Sequence, residues 1–533
     1  MATPEIPREP QGGQDRTATR RLCAGVYVDT EYRTTVIQRV YNERRRRVAP
    51  SYGYDLVPVL AHAWRAWRLS TAEDALVLAE FCAAYATYPM AAFLATATLV
   101  DLALAGSLAV RLSKRYVALR GAPEADTPAS PPAVQDRTLR RGIYFTTAAM
   151  LVALILLIGT SGAWGLVTAA LIMLAPCVTL AGVGAFRQLA LNRLRAQRAT
   201  SPPLRTSRRL SVIDGQQQHP MVVYSGVQPF IGSGTVLTTW SFAQRLVEAK
   251  ELDDEKDVEF TKKPFFTWDM VEKLRHTIAA LGTEDDPETK LPGITVSDSL
   301  FVESRYARSY ASELADRPQA DLVRRILDNP PETARHYLTC QVESWGGDVV
   351  TTVFVHVSLQ GRTLYIEFTT CGLAPIRLEY QVVDVVGGTG RMAMVRSCVT
   401  SLRRLPLIAL APFRLTRAFV LLAGAVRAGA DSTPLHLKRG ADIGAALSAR
   451  EMATVASDAS YFQSFDVGKH SKIVERRLLV TIGEFLKEHG VDTSEFLERA
   501  TAILNNGIIN TGSGNVEVSD STIAMGHNTN AAK

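Results

Sequence analysis

Cysteine is scarce: Cys23, Cys82, Cys177, Cys340, Cys371 and Cys398 are the only six in 533 residues, with no CxxC pair and no metal-ligand spacing. That pattern indicates neither a disulfide framework nor a zinc site, and leaves reduced thiols as the expectation. The first twenty residues are rich in Pro, Gly, Gln and Arg and lack an apolar h-region, so they read as a disordered cytoplasmic tail rather than a cleavable signal peptide. No HExxH, GxSxG, kinase or deaminase signature occurs. A strong charge imbalance is missing too: 59 Lys and Arg against 53 Asp and Glu leave +6, and no nucleic-acid partner is expected. Hydrophobic residues at 47% and charged residues at 21% exclude both a wholly disordered and a wholly membrane-embedded chain. The length implies several units.

The most informative absence is local. From Ile143 to Phe186 there is no Asp, Glu, Lys or Arg. As a helix this run would reach roughly 66 Å, about twice the ~30 Å of a hydrocarbon core, so two crossings are expected. Gly159, Thr160, Ser161 and Gly162 mark the reversal. Arg140 and Arg141 precede the run, and Arg187, Arg193, Arg195, Arg198, Arg205, Arg208 and Arg209 follow it without an intervening acid. An excess of Lys and Arg marks cytoplasmic flanks, so both ends are placed inside.

A second apolar run, Ala75 to Val110, is interrupted by Glu80, Pro89 and Asp101. It reads as one span or as a shallow hairpin turning near Tyr88 and Pro89. Basic residues on both flanks favour the hairpin and four crossings in total. Asp101, inside an apolar helix, is the candidate intramembrane polar site: either it serves a transport path, or it pairs with Thr98 or with a neighbouring helix.

The expected fold is multi-domain: helical transmembrane hairpins plus a cytoplasmic α+β domain with an antiparallel sheet, a helical tail and a short β-prone C-terminus. The divisions are a tail over 1–23, a helical segment over 24–72, a first membrane segment over 73–112, a linker over 113–140 and a transmembrane hairpin over 141–187. A basic linker follows over 188–209, then the α+β domain over 210–400, a basic amphipathic segment over 401–435, a helical region over 436–506 and a β-prone tail over 507–533. Within the α+β domain, Met221 to Ser225 reads as a strand and Thr267 to Leu281 as a helix with Trp268, Val271, Leu274, Ile278 and Leu281 on one face. His336 to Cys371 reads as a three-stranded meander with one apolar face. Arg403 to Arg427 is apolar but punctuated by arginines; it lies flat among headgroups or packs as a core helix. Lys472 to Glu488 and a following helix read as a spacer carrying the tail.

No cofactor, metal or catalytic residue is nominated. Gly232-Ser-Gly234 and Gly387-Gly-Thr-Gly390 lack the residues a phosphate loop needs and read as turns. His336, Cys340 and His356 have no third orienting group for nucleophilic catalysis. The partners expected are the lipid bilayer, with anionic headgroups near the arginine-rich flanks, and a second copy of the chain through the C-terminal tail.

That tail combines β-prone triplets with Asn and Gly turns, and Ile508, Ile509, Val516, Val518, Ile523, Met525, Gly526 and Asn528 are its candidate self-association residues. Ile523-Ala-Met-Gly526 with Asn528 resembles the RIP homotypic interaction motif and bacterial amyloid signalling motifs. The resemblance implies in-register stacking, although Ala524 stands where a Gln is usual and the Asn comes one place early. Val48-Ala-Pro-Ser51, Asp55-Leu-Val-Pro-Val59 and Val223-Tyr-Ser-Gly226 with Pro229-Phe-Ile-Gly-Ser-Gly234 are similar to segments of multi-pass membrane proteins of actinobacteria. That similarity implies a plasma-membrane location and brings no activity with it; the basic flanks and the even number of crossings place both termini in the cytoplasm.

Overall fold

The computed structural model describes residues 17–121, 133–195, 208–248, 260, 263–284, 290–316, 318–331, 333–385, 388–430, 442–455 and 458–505. The tail over 507–533, with all its candidate self-association residues, lies outside them.

Two short helices, α1 (Thr17–Val28) and α2 (Thr30–Thr35), open the described chain, and a π-helical turn, Val36–Tyr41, follows. Asp29 starts α2 by accepting the Glu31 and Tyr32 N–H groups at 2.8 and 3.0 Å, which satisfies donors that a helix start leaves orphaned. Asp55 caps α3 (Leu56–Thr87) in the same way. Leu56, Val59, Leu60 and Ala63 pack with Leu22, Tyr27, Ile37 and Tyr380 in a helical core. The same helix then runs on through the first apolar segment, so no boundary falls at residue 72: an uninterrupted run of helix formers has nothing to stop it before Tyr88 and Pro89. There α4 (Pro89–Gly121) begins and folds back, with Val77 of α3 beside Leu99. The linker expected over 113–140 is shorter than the sequence implied, because helix continues to Gly121 and resumes at Ala133.

Next, α5 (Ala133–Arg195) is broken at Gly162, where φ 58° and ψ −144° are accessible to glycine alone. The halves double back, and a Cβ at Gly165 would meet Leu157 at 2.8 Å. Four helical limbs result, held by Ala91, Leu94, Ala153, Leu157 and Ala169 at one level and by Val77, Leu99 and Leu180 at another. Among the described residues, three helices are long and apolar enough, by length and composition, to cross a membrane: Pro89–Ser113, Arg141–Arg195 and Leu405–Gly429.

After α6 (Arg208–Gln217) the chain builds a six-stranded sheet in the order β1-β3-β4-β5-β6-β2, from β1 (Met221–Tyr224), β2 (Thr235–Arg245), β3 (Ile294–Glu303), β4 (Ala334–Ser344), β5 (Val349–Gln360) and β6 (Thr363–Leu373). The meander read from sequence is β4-β5-β6. The sheet is mixed, however, because β1 joins β3 in parallel. One face packs on α7 (Thr267–Ala280), α9 (Ala320–Asp328) and α12 (Tyr461–Glu488), with the short α8 (Ala311–Ala315) and the final α13 (Ser494–Asn505) at its margins. Val474, Leu478, Leu479, Ile482, Phe485 and Leu486 of α12 are all buried there, each contributing about 1.5–3 kcal/mol through burial. The helical region after residue 436 is therefore part of the α+β core and not a spacer. The second sheet face presents Phe301, Tyr337, Val350 and Phe354, and Tyr52 and Phe230 from outside the sheet pack on them.

Between sheet and α12 comes an excursion. It consists of α10 (Arg391–Leu402), which lies almost wholly before the amphipathic segment expected over 401–435, and of a 3-10 turn (Leu405–Leu410) and α11 (Ala411–Ala430), into which that segment is divided. Pro406 and Pro412 end and restart the helix.

Candidate functional site

The bundle turns its acids inward. Asp101 of α4 accepts hydrogen bonds from Thr146 and Thr147 of α5, at 2.7 and 3.1 Å. Its partners are thus on a neighbouring helix, while Thr98 donates to the Leu94 carbonyl of its own helix. Glu80 of α3 accepts from Thr179 at 2.5 Å. About two turns earlier, Glu73 meets Arg187 at 2.5 Å, and Arg187 also donates to Ser70. Asp74, next in the chain, takes Arg414 of α11 at 2.5 Å. The last three contacts tie α3 to the second limb of α5 and to α11. Buried pairs of this kind are stabilising only while both partners remain, since removal of one leaves a charge that nothing nearby solvates.

At the junction with the sheet, Arg450 is fully buried and donates to the backbone carbonyls of Tyr52, Gly347 and Asp348 at 3.0, 2.8 and 2.9 Å. Burial lowers its pKa to about 10, against the opposing pull of Asp348 and Glu343. Arg21 bridges Asp348 and Asp384, each at 2.7 Å. The neighbouring Glu451 explains the Gly232-Ser-Gly234 loop. Its carboxylate accepts the Gly232 and Gly234 N–H groups at 2.8 and 3.0 Å. A paired-amide concavity that binds anions elsewhere is filled here by the chain's own acid. Burial raises the Glu451 pKa, and the two amides oppose that shift.

Inside the sheet, strand parity separates the two histidines. Leu338 pairs with Val355, so His336 and Cys340 share the face toward α7 while His356 lies on the other. His336 meets Asp298 at 2.8 Å, and Asp298 is held from its other side by Arg275 at 2.8 and 2.9 Å. Burial pushes the Asp298 carboxyl up, but His336 and then Arg275 outweigh it and bring the pKa down to about 2. His356 donates Nδ1–H to the His336 carbonyl at 2.7 Å, and burial takes its pKa down to about 4. Burial, with the Asp298 charge adding to it, pushes the Cys340 thiol up to about 12, which leaves it protonated and unreactive at neutral pH. The Arg275–Asp298–His336 chain was missed in the sequence. Alternation along β3 places Asp298 among core positions, and that was the available signal.

Asp101 is thus brought together with two threonines, and the histidines are tied to structural partners on opposite faces. Among the described residues no group of three or more His, Cys, Asp or Glu side chains is placed to hold a metal ion. A family model described as an AbeC-like domain matches residues 239–518, from inside β2 through the sheet, the α10–α11 excursion and α12–α13. No curated protein and no solved structure matches the chain.

Proposed function

The chain belongs to the AbeC-like domain family, and on that premise we propose that it is a membrane-anchored scaffold. In this reading the two limbs of α5 cross the plasma membrane as one hairpin, α3 and α4 form a second, shallow one turning at Tyr88 and Pro89, and the sheet domain works as an interaction module on the cytoplasmic side. The observation that carries it is the inverted polarity of the bundle. Ile155 is 69% exposed, Trp164 78% and Val178 64%, while Glu73, Glu80 and Asp101 turn toward partner helices. Large apolar side chains facing out and acids facing in suit a hydrocarbon surround. Arg187, Arg193 and Arg195 lie at the end of α5 that joins the soluble core, whereas the Gly162 break is at the opposite end. By the positive-inside rule, the sheet shares the cytoplasmic side with those arginines.

A scaffold role is favoured because the conspicuous polar groups of the sheet are already paired within the chain: His336 with Asp298, His356 with a backbone carbonyl and Glu451 with the glycine loop. Protease accessibility tests the arrangement. In intact cells, external protease is expected to spare residues 211–505, and inverted vesicles are expected to expose them. Digestion of the sheet domain from outside intact cells would overturn the proposal.

A further inference from the structure

Leu405–Gly429 is long and apolar enough to span a bilayer, yet its surroundings bring it back to the side it came from. Before α10, Gln188 donates to the Gly388 carbonyl at 2.9 Å and Asn192 accepts the Gly390 N–H at 3.0 Å, both on the last turns of α5. Further along α10, Ser397 donates to the Gly184 carbonyl at 3.0 Å. Any side chain at Gly184 would collide with Ser401, whose Oγ lies 2.2 Å from where its Cβ would be. The 3-10 turn then delivers Leu405 and Ile408 into the cluster of Val77, Leu99, Leu180 and Met173. On the return, Arg414 of α11 reaches Asp74, Asn42 donates to the Leu421 carbonyl at 2.9 Å and Arg44 to the Arg427 carbonyl at 2.5 Å. Asn42 and Arg44 flank the helical core that also holds the end of α5.

Chain parity requires the same path. Strands β3 to β6 precede the excursion, α12 follows it, and both share one apolar core. A single crossing between them would put the two halves of that core on opposite sides of a membrane. We therefore infer that residues 391–430 form a re-entrant helical hairpin: the segment enters the bilayer from the side of the sheet, turns among the acyl chains and leaves on the same side. This rests on the membrane-anchor reading of α3–α5. Counted along α5, Leu180 and Met173 lie roughly 9 to 20 Å beyond Phe186, so the turn reaches the middle of a ~30 Å hydrocarbon core.

The apolar side chains of the segment suit that place; of the arginines around the turn, Arg414 is paired with Asp74, and the exposed Arg403 and Arg417 must snorkel toward the headgroups. Phe413 is 73% and Phe419 70% exposed, with Val395, Val399, Leu407 and Leu410 also outward, so acyl chains are the occupant of this face. A turn in lipid must leave few backbone donors free. Pro406 and Pro412 have none to leave, and the Arg404 and Leu407 N–H groups bond to Ser401 and Arg404 carbonyls at 3.0 and 2.9 Å. In this proposal a re-entrant hairpin takes the place of the two expectations for Arg403 to Arg427, a helix flat among headgroups or one packed in a soluble core.

Single cysteines at Leu407, Phe419, Ile155, Ala163 and Phe462 test it, with Cys82, Cys177 and Cys398 replaced by alanine and the buried Cys23, Cys340 and Cys371 retained. The full chain is reconstituted in phosphatidylcholine vesicles carrying bromines either at mid-chain or near the glycerol. For a fluorophore on L407C, mid-chain bromines are expected to quench at least about twofold more strongly than shallow ones, and F419C is expected to show the reverse order. An impermeant maleimide is expected to reach A163C from one side and F462C from the other, and L407C at least about tenfold more slowly from either. Labelling of L407C from the A163C side means a span, and labelling at the F462C rate means a surface helix. Either result, with I155C still quenched, overturns the hairpin alone. Loss of quenching at I155C and L407C together overturns the membrane anchor as well.

Discussion

The sheet domain and the helical bundle both bury apolar side chains, but only the bundle also turns a large share of them outward. In the sheet, Leu338, Val355, Ile366, Leu478 and Phe485 are inside, and the few charged groups among them are paired, as Asp298 is with Arg275 and His336. In the bundle, Ile155, Leu171, Trp164 and Val178 face outward, and the limbs are joined through Glu73, Asp74, Glu80 and Asp101. On the membrane-anchor reading, the difference gives each region its own source of cohesion. Water drives the sheet together by excluding apolar surface; helices surrounded by hydrocarbon gain little that way and depend on close packing and polar contacts.

That contrast predicts unequal responses. Phe354, stacked on Phe230 with ring centroids 4.5 Å apart, is the largest expected effect: Phe354→Ala should cost the sheet domain about 4 kcal/mol. Proteolysis of the sheet should accelerate while the α4–α5 fragment stays protected in detergent. Loss of both together would show that the regions fold as one. Next, Arg187→Ala strands the Glu73 carboxylate and should cost about 3 kcal/mol of bundle stability. Adding Glu73→Gln should restore most of it, and a double variant as unstable as the single would put the loss in packing.

The third effect is set by pH. His356 is neutral in the fold, with a pKa of about 4 against an ordinary 6.5. Its contribution is full above pH 6.5 and disappears as pH falls toward 4, because only the unfolded chain takes up that proton readily. The expected loss is about 2 to 3 kcal/mol across the window, and His356→Asn, which keeps a donor for the His336 carbonyl, should flatten it in urea titrations. Asp298, already down to about 2, adds acid sensitivity only below about pH 4. Smallest is Asp101→Asn. An amide oxygen can accept from Thr146 and Thr147 as the carboxylate does, so melting should shift by less than about 1 kcal/mol. If Asp101 carried ions instead, the same change would abolish a measurable flux in vesicles while leaving insertion intact.

Much of the bundle could be read from the sequence because uncharged length and glycine are local signals: Gly162 breaks α5 and Tyr88–Pro89 separates α3 from α4. The three strands from His336 to Cys371 were legible through strict alternation. What escaped were facts of assembly. Phe230 comes from a loop and Tyr52 from the N-terminal helical region, so no pattern within β5 announces that its second face is covered. Periodicity gave the apolar stripe on α12 but not its destination. Asp101 was recognisable as an outlier, whereas its threonine partners lie on a helix far along the chain. Arg414 argued against a span by composition, and only the position of Asp74 shows where it is satisfied.

The split of one core around the α10–α11 excursion has a consequence for biosynthesis. When β6 ends at Leu373 the sheet is complete in its strands, but the helix that covers it ends only at Glu488. At about 5–20 residues per second, that leaves the α12-facing surface uncovered for roughly 6 to 23 seconds. During that interval an apolar hairpin must also find its place against α5. The nascent chain thus carries two adhesive surfaces at once, a condition that favours chaperone occupancy of β4–β6 and makes the ribosome's pace between Leu373 and Glu488 a determinant of yield.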